Sequence, residues 1–279
     1  MTATTVVAWN GSAQSRAALL WAIEREQSGL GGLLLLTVID DAFRSCGQAA
    51  MDELLVAGQQ ALDAEEAWIR LAAPTILVTA RLLRGEPENE IMRNCPVGSM
   101  LAVGQREGPS PSQRWSFAAR LASEAAVPVV IVEAGPVRDR AGVIVGVDGS
   151  PASHEASLVA AAEAQRRHEP LHAVHAWPGA THGLASESHL DDLHAEHQGI
   201  LDSSVSVISD AFPSLPVEGH LDPGPADSVL RRRAQDAALL VVGSRGHGAV
   251  RRFLLGSVSR SLILSATCPL VIVTVAPVE

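Results

Sequence analysis

Lysine is missing from the sequence altogether: the 279 residues include 21 arginines and no lysine. That excludes any chemistry built on an ε-amino group, including the lysine of a phosphate loop, a Schiff base and a lysine general base. Cysteine is scarce. Cys46, Cys95 and Cys268 have no metal-like spacing, and so small and odd a count points to reduced thiols in a cytoplasmic protein. Positive charge is also short, with a formal net charge of −10, which argues against non-specific nucleic-acid binding but not against a small anion held by a helix end and a few arginines. Aromatics make up 3% of the chain, and Trp9, Trp21, Trp68, Trp115 and Trp177 are scattered without interleaved basic residues, so no base-stacking surface is indicated. No apolar run approaches the ~20 residues of a membrane helix, and the opening MTATTVVAWNGS lacks the pattern of a secretion signal. The expectation is a cytoplasmic chain with no membrane partner.

What is present is material for a packed core, 47% hydrophobic against 19% charged, arranged as two copies of one pattern. VVAWNGSAQSRAAL near the start matches VIVGVDGSPASHEAS near the middle, and AVPVVIVEA closes the first copy as CPLVIVTVA closes the second. Between them LLLLTVI parallels LHAVHAW, TILVTARLLRGEP parallels LPVEGHLDPGP, and MLAVG parallels ALLVVG. The chain reads as a tandem duplication with domains 1–137 and 138–279, joined through the polar EAGPVRDRAG at 133–142. Each half predicts strand and helix in alternation, with five strands and a long second helix such as the one at 51–73. The Val-, Ile- and Leu-rich runs read as strands buried on both faces. The fold class is α/β: two tandem open parallel five-stranded sheets with helices on both faces, Rossmann-like.

Ligands of such sheets lie beyond the carboxyl ends of the strands. There, after AALLVV, the second half carries GSRGHGAVRRFLLGS, with Gly243, Gly246 and Gly256-Ser257 at fixed intervals. A strand can end at Gly243, and the loop can turn at Gly246 without a Cβ clash. SVSRSLILSA reads as a helix with Ser257 near its N-cap, offering open amides and the Ser257 and Ser259 hydroxyls to phosphate oxygens. The same glycines could instead do no more than shape a tight connection.

The arrangement G-x2-G-x9-G-S, with D-G-S after the first strand and Pro-x-Val-Ile-Val at the end, resembles the universal stress protein family over essentially the whole chain, in the ATP-binding form of the motif. The resemblance implies ATP, alone or with Mg, as the ligand, and pairing through the last strands, either between the two halves or in a homodimer. Carried over, the family pattern places Gly146 and Asp148 at the end of the first strand, with the Asp148 carboxylate on the ribose, and Ala176 at the adenine pocket. Val242, Gly243, Arg245 and Gly246 form the loop, and Gly256, Ser257, Val258 and Ser259 wrap the phosphates. It implies no catalytic residue and no metal ligand, and an adenine nucleotide as partner.

The first half departs from this pattern. Asn10 replaces the aspartate, Gly104 and Arg106 survive, Glu107 stands where the motif has Gly246, and Trp115 and Ser116 fall opposite Gly256 and Ser257. An indole and a carboxylate in a phosphate cradle imply that this half does not bind ATP; the alternative is a shifted loop in which Gly108 still admits a nucleotide. All ten histidines lie between His154 and His247, and His194, His197 and Asp191 share a helix face, read as solvated rather than metal-binding. His247, Arg251 and Arg252 sit in the glycine loop, within reach of phosphate or simply in water. Ser12 and Ser150 have no His/Asp pairing at a readable spacing, so nothing in the sequence points to a serine hydrolase. The functional expectation is a stress-response regulator in which nucleotide occupancy of the second half controls conformation or association, with slow hydrolysis at most. The alternatives are an adenine-nucleotide hydrolase or transferase of the same α/β group, and an interaction module with a vestigial site.

Overall fold

The computed structural model describes residues 4–27, 31–105, 117–134, 140–179, 187–246, 255–265 and 267–275. The chain forms two compact units, one built mainly from residues before Val137 and the other from Val137 onward. The first comprises β1 (Thr5–Ala8), α1 (Ala13–Gln27), β2 (Gly32–Asp40), α2 (Gln48–Ala72), β3 (Leu77–Gly85), α3 (Pro87–Arg93), β4 (Met100–Gln105), α4 (Phe117–Glu124) and β5 (Val129–Glu133). The second comprises β6 (Val143–Gly146), α5 (Pro151–Arg167), β7 (Leu171–Trp177), α6 (Glu187–Ala211), β8 (Val217–Pro223), α7 (Ala226–Arg233), β9 (Leu239–Gly243), α8 (Ser257–Ser265) and β10 (Leu270–Val273).

Strand order is β3-β2-β1-β4-β5 in the first unit and β8-β7-β6-β9-β10 in the second. The paired strands within each unit run parallel. The alternation expected of each half is therefore the fold observed, with a short 3-10 helix (Asp41–Cys46) before α2 as an addition. In each unit the chain winds outward from the first strand and then returns to its other side. This places a topological switch point beside β1 and, in the second unit, beside β6.

Burial corrects one expectation. β1, β4, β6, β9 and β10 are buried almost throughout, but β3 and β8 hold no buried residue: β3 mostly alternates exposed and half-buried positions, with Leu77 81% exposed, and β8 is exposed at Glu218, Gly219 and Pro223. A helix covers only part of each of these two strands, so an apolar run there does not imply burial on both faces.

The second unit's first helix shows how local chemistry fixes the site. Ser150 caps α5 by accepting from the Ser153 N–H at 3.2 Å, and Pro151 occupies the first helical turn. His168 ends the helix in the left-handed region at φ 56, after Arg166 and Arg167 in the last turn, where cations complement the helix dipole. The small buried residues Ala152, Ala156 and Ala160 let α5 lie close against the sheet.

Candidate functional site

Asp148 leaves β6 in a side-chain turn. Its Oδ1 accepts from the Ser150 N–H at 2.9 Å, and its own N–H donates to Ser153 Oγ at 3.0 Å. The first unit repeats this geometry with Asn10: Oδ1 accepts from Ser12 N–H at 3.1 Å, and Asn10 N–H donates to Ser15 Oγ at 3.3 Å. The turn thus survives in both copies, while the charge survives only in the second.

The glycines divide by cause. A Cβ on Gly243 would lie 2.8 Å from the Ala152 carbonyl carbon, and one on Gly104 would lie 1.9 Å from the Gln14 oxygen. In both units this glycine is demanded by the helix packed over the strand end, so the packing reading explains it without a ligand. Gly246 is different, because a Cβ there would lie 2.3 Å from Asp148 Oδ2. Absence of a side chain at 246 keeps space for the carboxylate at 148. At Gly256 an added Cβ would meet only ordinary contacts, the nearest at 3.5 Å, so packing does not require that glycine.

Two details of the helix start correct the expected phosphate cradle. α8 begins at Ser257, which makes Gly256 the cap, and the Gly256 N–H donates to the Ser244 carbonyl at 2.8 Å. The Ser259 hydroxyl, with one proton to give, faces the Ser244 carbonyl at 2.9 Å and the Gly256 carbonyl at 3.1 Å. Both groups hold the loop rather than a ligand. The N–H groups of Ser257, Val258 and Ser259 have no acceptor among the described residues, as the first turn of a helix dictates. They are the donors available there.

Gly146, Asp148, Ala176, Val242, Gly243, Arg245, Gly246, Gly256, Ser257, Val258 and Ser259 all line a single cleft of about 600 Å³ in the second unit. That is within the size range of small-molecule sites. Its mixed lining includes apolar walls from Val174, Ile200 and Leu230. Arg106, Glu107, Trp115, Ser116, His247, Arg251 and Arg252 lie outside the described residues.

Sequence reasoning missed a histidine relay on the cleft wall. His175 Nδ1 lies 2.7 Å from the Val147 carbonyl, and His175 Nε2 lies 2.7 Å from His197 Nδ1. A carbonyl only accepts, so Nδ1 of His175 carries the proton and its Nε2 accepts. His197 then donates from Nδ1 and keeps Nε2 as an acceptor. Burial, with His175 adding to it and Glu196 opposing, pushes the His197 pKa below the ordinary imidazole value. His194 stands edge-on to Trp177, with centroids 5.4 Å apart. The histidine face of α6 is therefore partly engaged with β7, not wholly solvated. In the first unit the corresponding carbonyl, that of Trp9, accepts from Thr37 Oγ1 at 3.0 Å, and the relay ends there.

Two copies of an open parallel α/β domain, the second with a glycine-lined cleft at its strand ends, define a tandem α/β protein. The model of the universal stress protein family matches residues 1–133 and 142–274. The chain belongs to that family. It is 31% identical over 161 residues to universal stress protein Rv2005c of Mycobacterium tuberculosis, a match covering 56% of this chain and 55% of that one. It is 33% identical over 168 residues to universal stress protein Rv1996 of the same organism, covering 56% and 52%. The matched stretch thus spans about half the length of these relatives. Among solved structures, a universal stress protein from Archaeoglobus fulgidus shares the fold with a TM-score of 0.72 at 20% identity, over 97% of this chain and 98% of that one. The functionally unknown protein PA1789 from Pseudomonas aeruginosa aligns with a TM-score of 0.62 at 17% identity, over 98% and 92%.

Proposed function

We propose that the second half binds ATP, alone or with Mg, and that its occupancy controls the conformation or association of the protein as a stress-response regulator. The observation that carries this reading is the convergence of eleven motif residues on one cleft of about 600 Å³. Its rim holds the unengaged amides of Ser257, Val258 and Ser259, and helix-start amides complement phosphate charge. Arg245 adds a cation, and Asp148 offers Oδ2 to vicinal ribose hydroxyls. A neutral His197 with Nε2 as acceptor suits the 6-amino group of adenine. The first half, with Asn10 for the aspartate and Glu107 and Trp115 in its loop, acts as a partner domain without nucleotide.

Mass analysis of the nucleotide that co-purifies, followed by calorimetric titration, tests this. One ATP per chain is expected, and none after Gly256→Trp with Tm unchanged. Two equivalent sites, or full retention in Gly256→Trp, defeat the proposal. Turnover of order 1 per second would make the protein an enzyme rather than a regulator.

A further inference from the structure

Outside the cleft, β7 and β8 bring together two imidazoles and a carboxylate. Their parallel register pairs His172 with Glu218 and Val174 with His220. A two-residue step along β8 therefore sets His220 on the same sheet face as Glu218 and His172. α6 packs on the opposite face, where a Cβ at Gly219 would touch Val205 and Leu201. His172 Nδ1 lies 3.1 Å from His220 Nε2 and 3.4 Å from Glu218 Oε2, and His220 Nε2 lies 3.8 Å from the same oxygen.

A triangle with those sides has a circumradius of about 2.0 Å, which is the Zn–N and Zn–O bond length. One ion can therefore touch all three atoms without any of them moving. A proton shared by the two rings, with the carboxylate beside the resulting imidazolium, is the competing account of these contacts, and titration with zinc separates the two. The imidazoles are 29% and 23% exposed and the carboxylate 64%, so water can complete the coordination. Beside His220, Asp222 is paired with Arg233 by two hydrogen bonds of 2.8 Å and with Arg232 at 3.4 Å, so its carboxylate is engaged by guanidiniums and is not a fourth ligand.

We propose that His172, Glu218 and His220 form a divalent transition-metal site, filled by Zn2+ and open at its remaining positions to water. Two nitrogens and one oxygen on rigid strands suit zinc better than calcium or magnesium, which prefer all-oxygen shells. His172 stands near the start of β7. Ala176, at the nucleotide cleft, is four residues further on, roughly 13 Å along the strand. The ion would tie β8 to β7 and, at free zinc concentration c, stabilise the fold by RT ln(1 + c/Kd).

Calorimetric titration of the untagged, chelator-treated full chain with Zn2+ tests the site, alongside Tm with and without the ion. The expected result is one zinc per chain and a raised Tm. Glu218→Gln, a change at an exposed side chain that leaves folding intact, should weaken binding ten-fold or more, and His220→Asn should remove it. His194→Asn should leave it unchanged, and X-ray absorption should show two imidazole nitrogens with oxygen ligands. Absence of zinc binding overturns the proposal. So does uptake that ignores Glu218→Gln and His220→Asn, or that follows His194 instead.

Discussion

Asp148 and Gly246 belong to one device, because the carboxylate occupies space that any side chain at 246 would need. Asp148→Asn copies the first half, where Asn10 keeps the same turn. It should leave Tm unchanged yet weaken ATP by about ten-fold or more, the worth of a hydrogen bond to a charged group. Calorimetry against thermal melting checks both halves of that statement. The remaining glycines should separate in the opposite sense. Gly243→Ala forces a Cβ onto the Ala152 backbone and should cost roughly 1–3 kcal/mol in denaturant unfolding. Gly256→Ala meets only ordinary contacts and should fold like the parent. The motif letters were legible in the sequence, but the different physical reasons for each glycine were not. A glycine demanded by packing and one demanded by a neighbouring carboxylate look identical as letters.

Helices and strands follow local rules well in this chain. Ser150 and Pro151 start α5 by local capping chemistry, and the helix read at 51–73 forms most of α2. Less legible was a buried cluster joining α1 to β1. The Arg25 guanidinium donates to Thr5 Oγ1 and to Glu26 Oε1, each at 2.7 Å, with all three residues no more than 5% exposed. Neither residue stands out in WAIEREQ, since charged letters at a helix end usually mean a solvated terminus. Arg25→Ala would leave the Glu26 carboxylate buried beside an uncharged void. A loss of about 3–5 kcal/mol is expected in urea unfolding, far above the ~0–1 kcal/mol of a surface pair. A cost near the surface value would show that water reaches Glu26. The zinc cluster belongs to this order of structure too: His172 is far in sequence from Glu218 and His220 and meets them only through the register of β7 on β8.

For the molecule as a whole, the His175–His197 relay predicts how stability varies with acidity. The folded chain holds the His197 pKa below 6.5, so between that lowered value and 6.5 the unfolded chain binds a proton that the folded one refuses. Stability present above pH 6.5 should therefore decline as pH falls through this interval. Tm at pH 7.5 and 5.5 should differ more in the parent than in His197→Gln, and an equal drop in both would rule the relay out as the cause. The duplication and the α/β alternation were readable in advance from the letters, while the eleven motif residues were named through the resemblance to the family and the strand order was not read at all. The duplication and the alternation rest on periodicity and on turn residues whose backbone chemistry acts locally. Folding alone decided that the Gly256 amide and Ser259 hydroxyl are spent on Ser244, that His175 reaches His197, and that β3 and β8 stand half exposed. Each of these depends on which segments lie side by side. Hydrogen-bond partners and burial are properties of pairs brought close in space, which no stretch of letters carries.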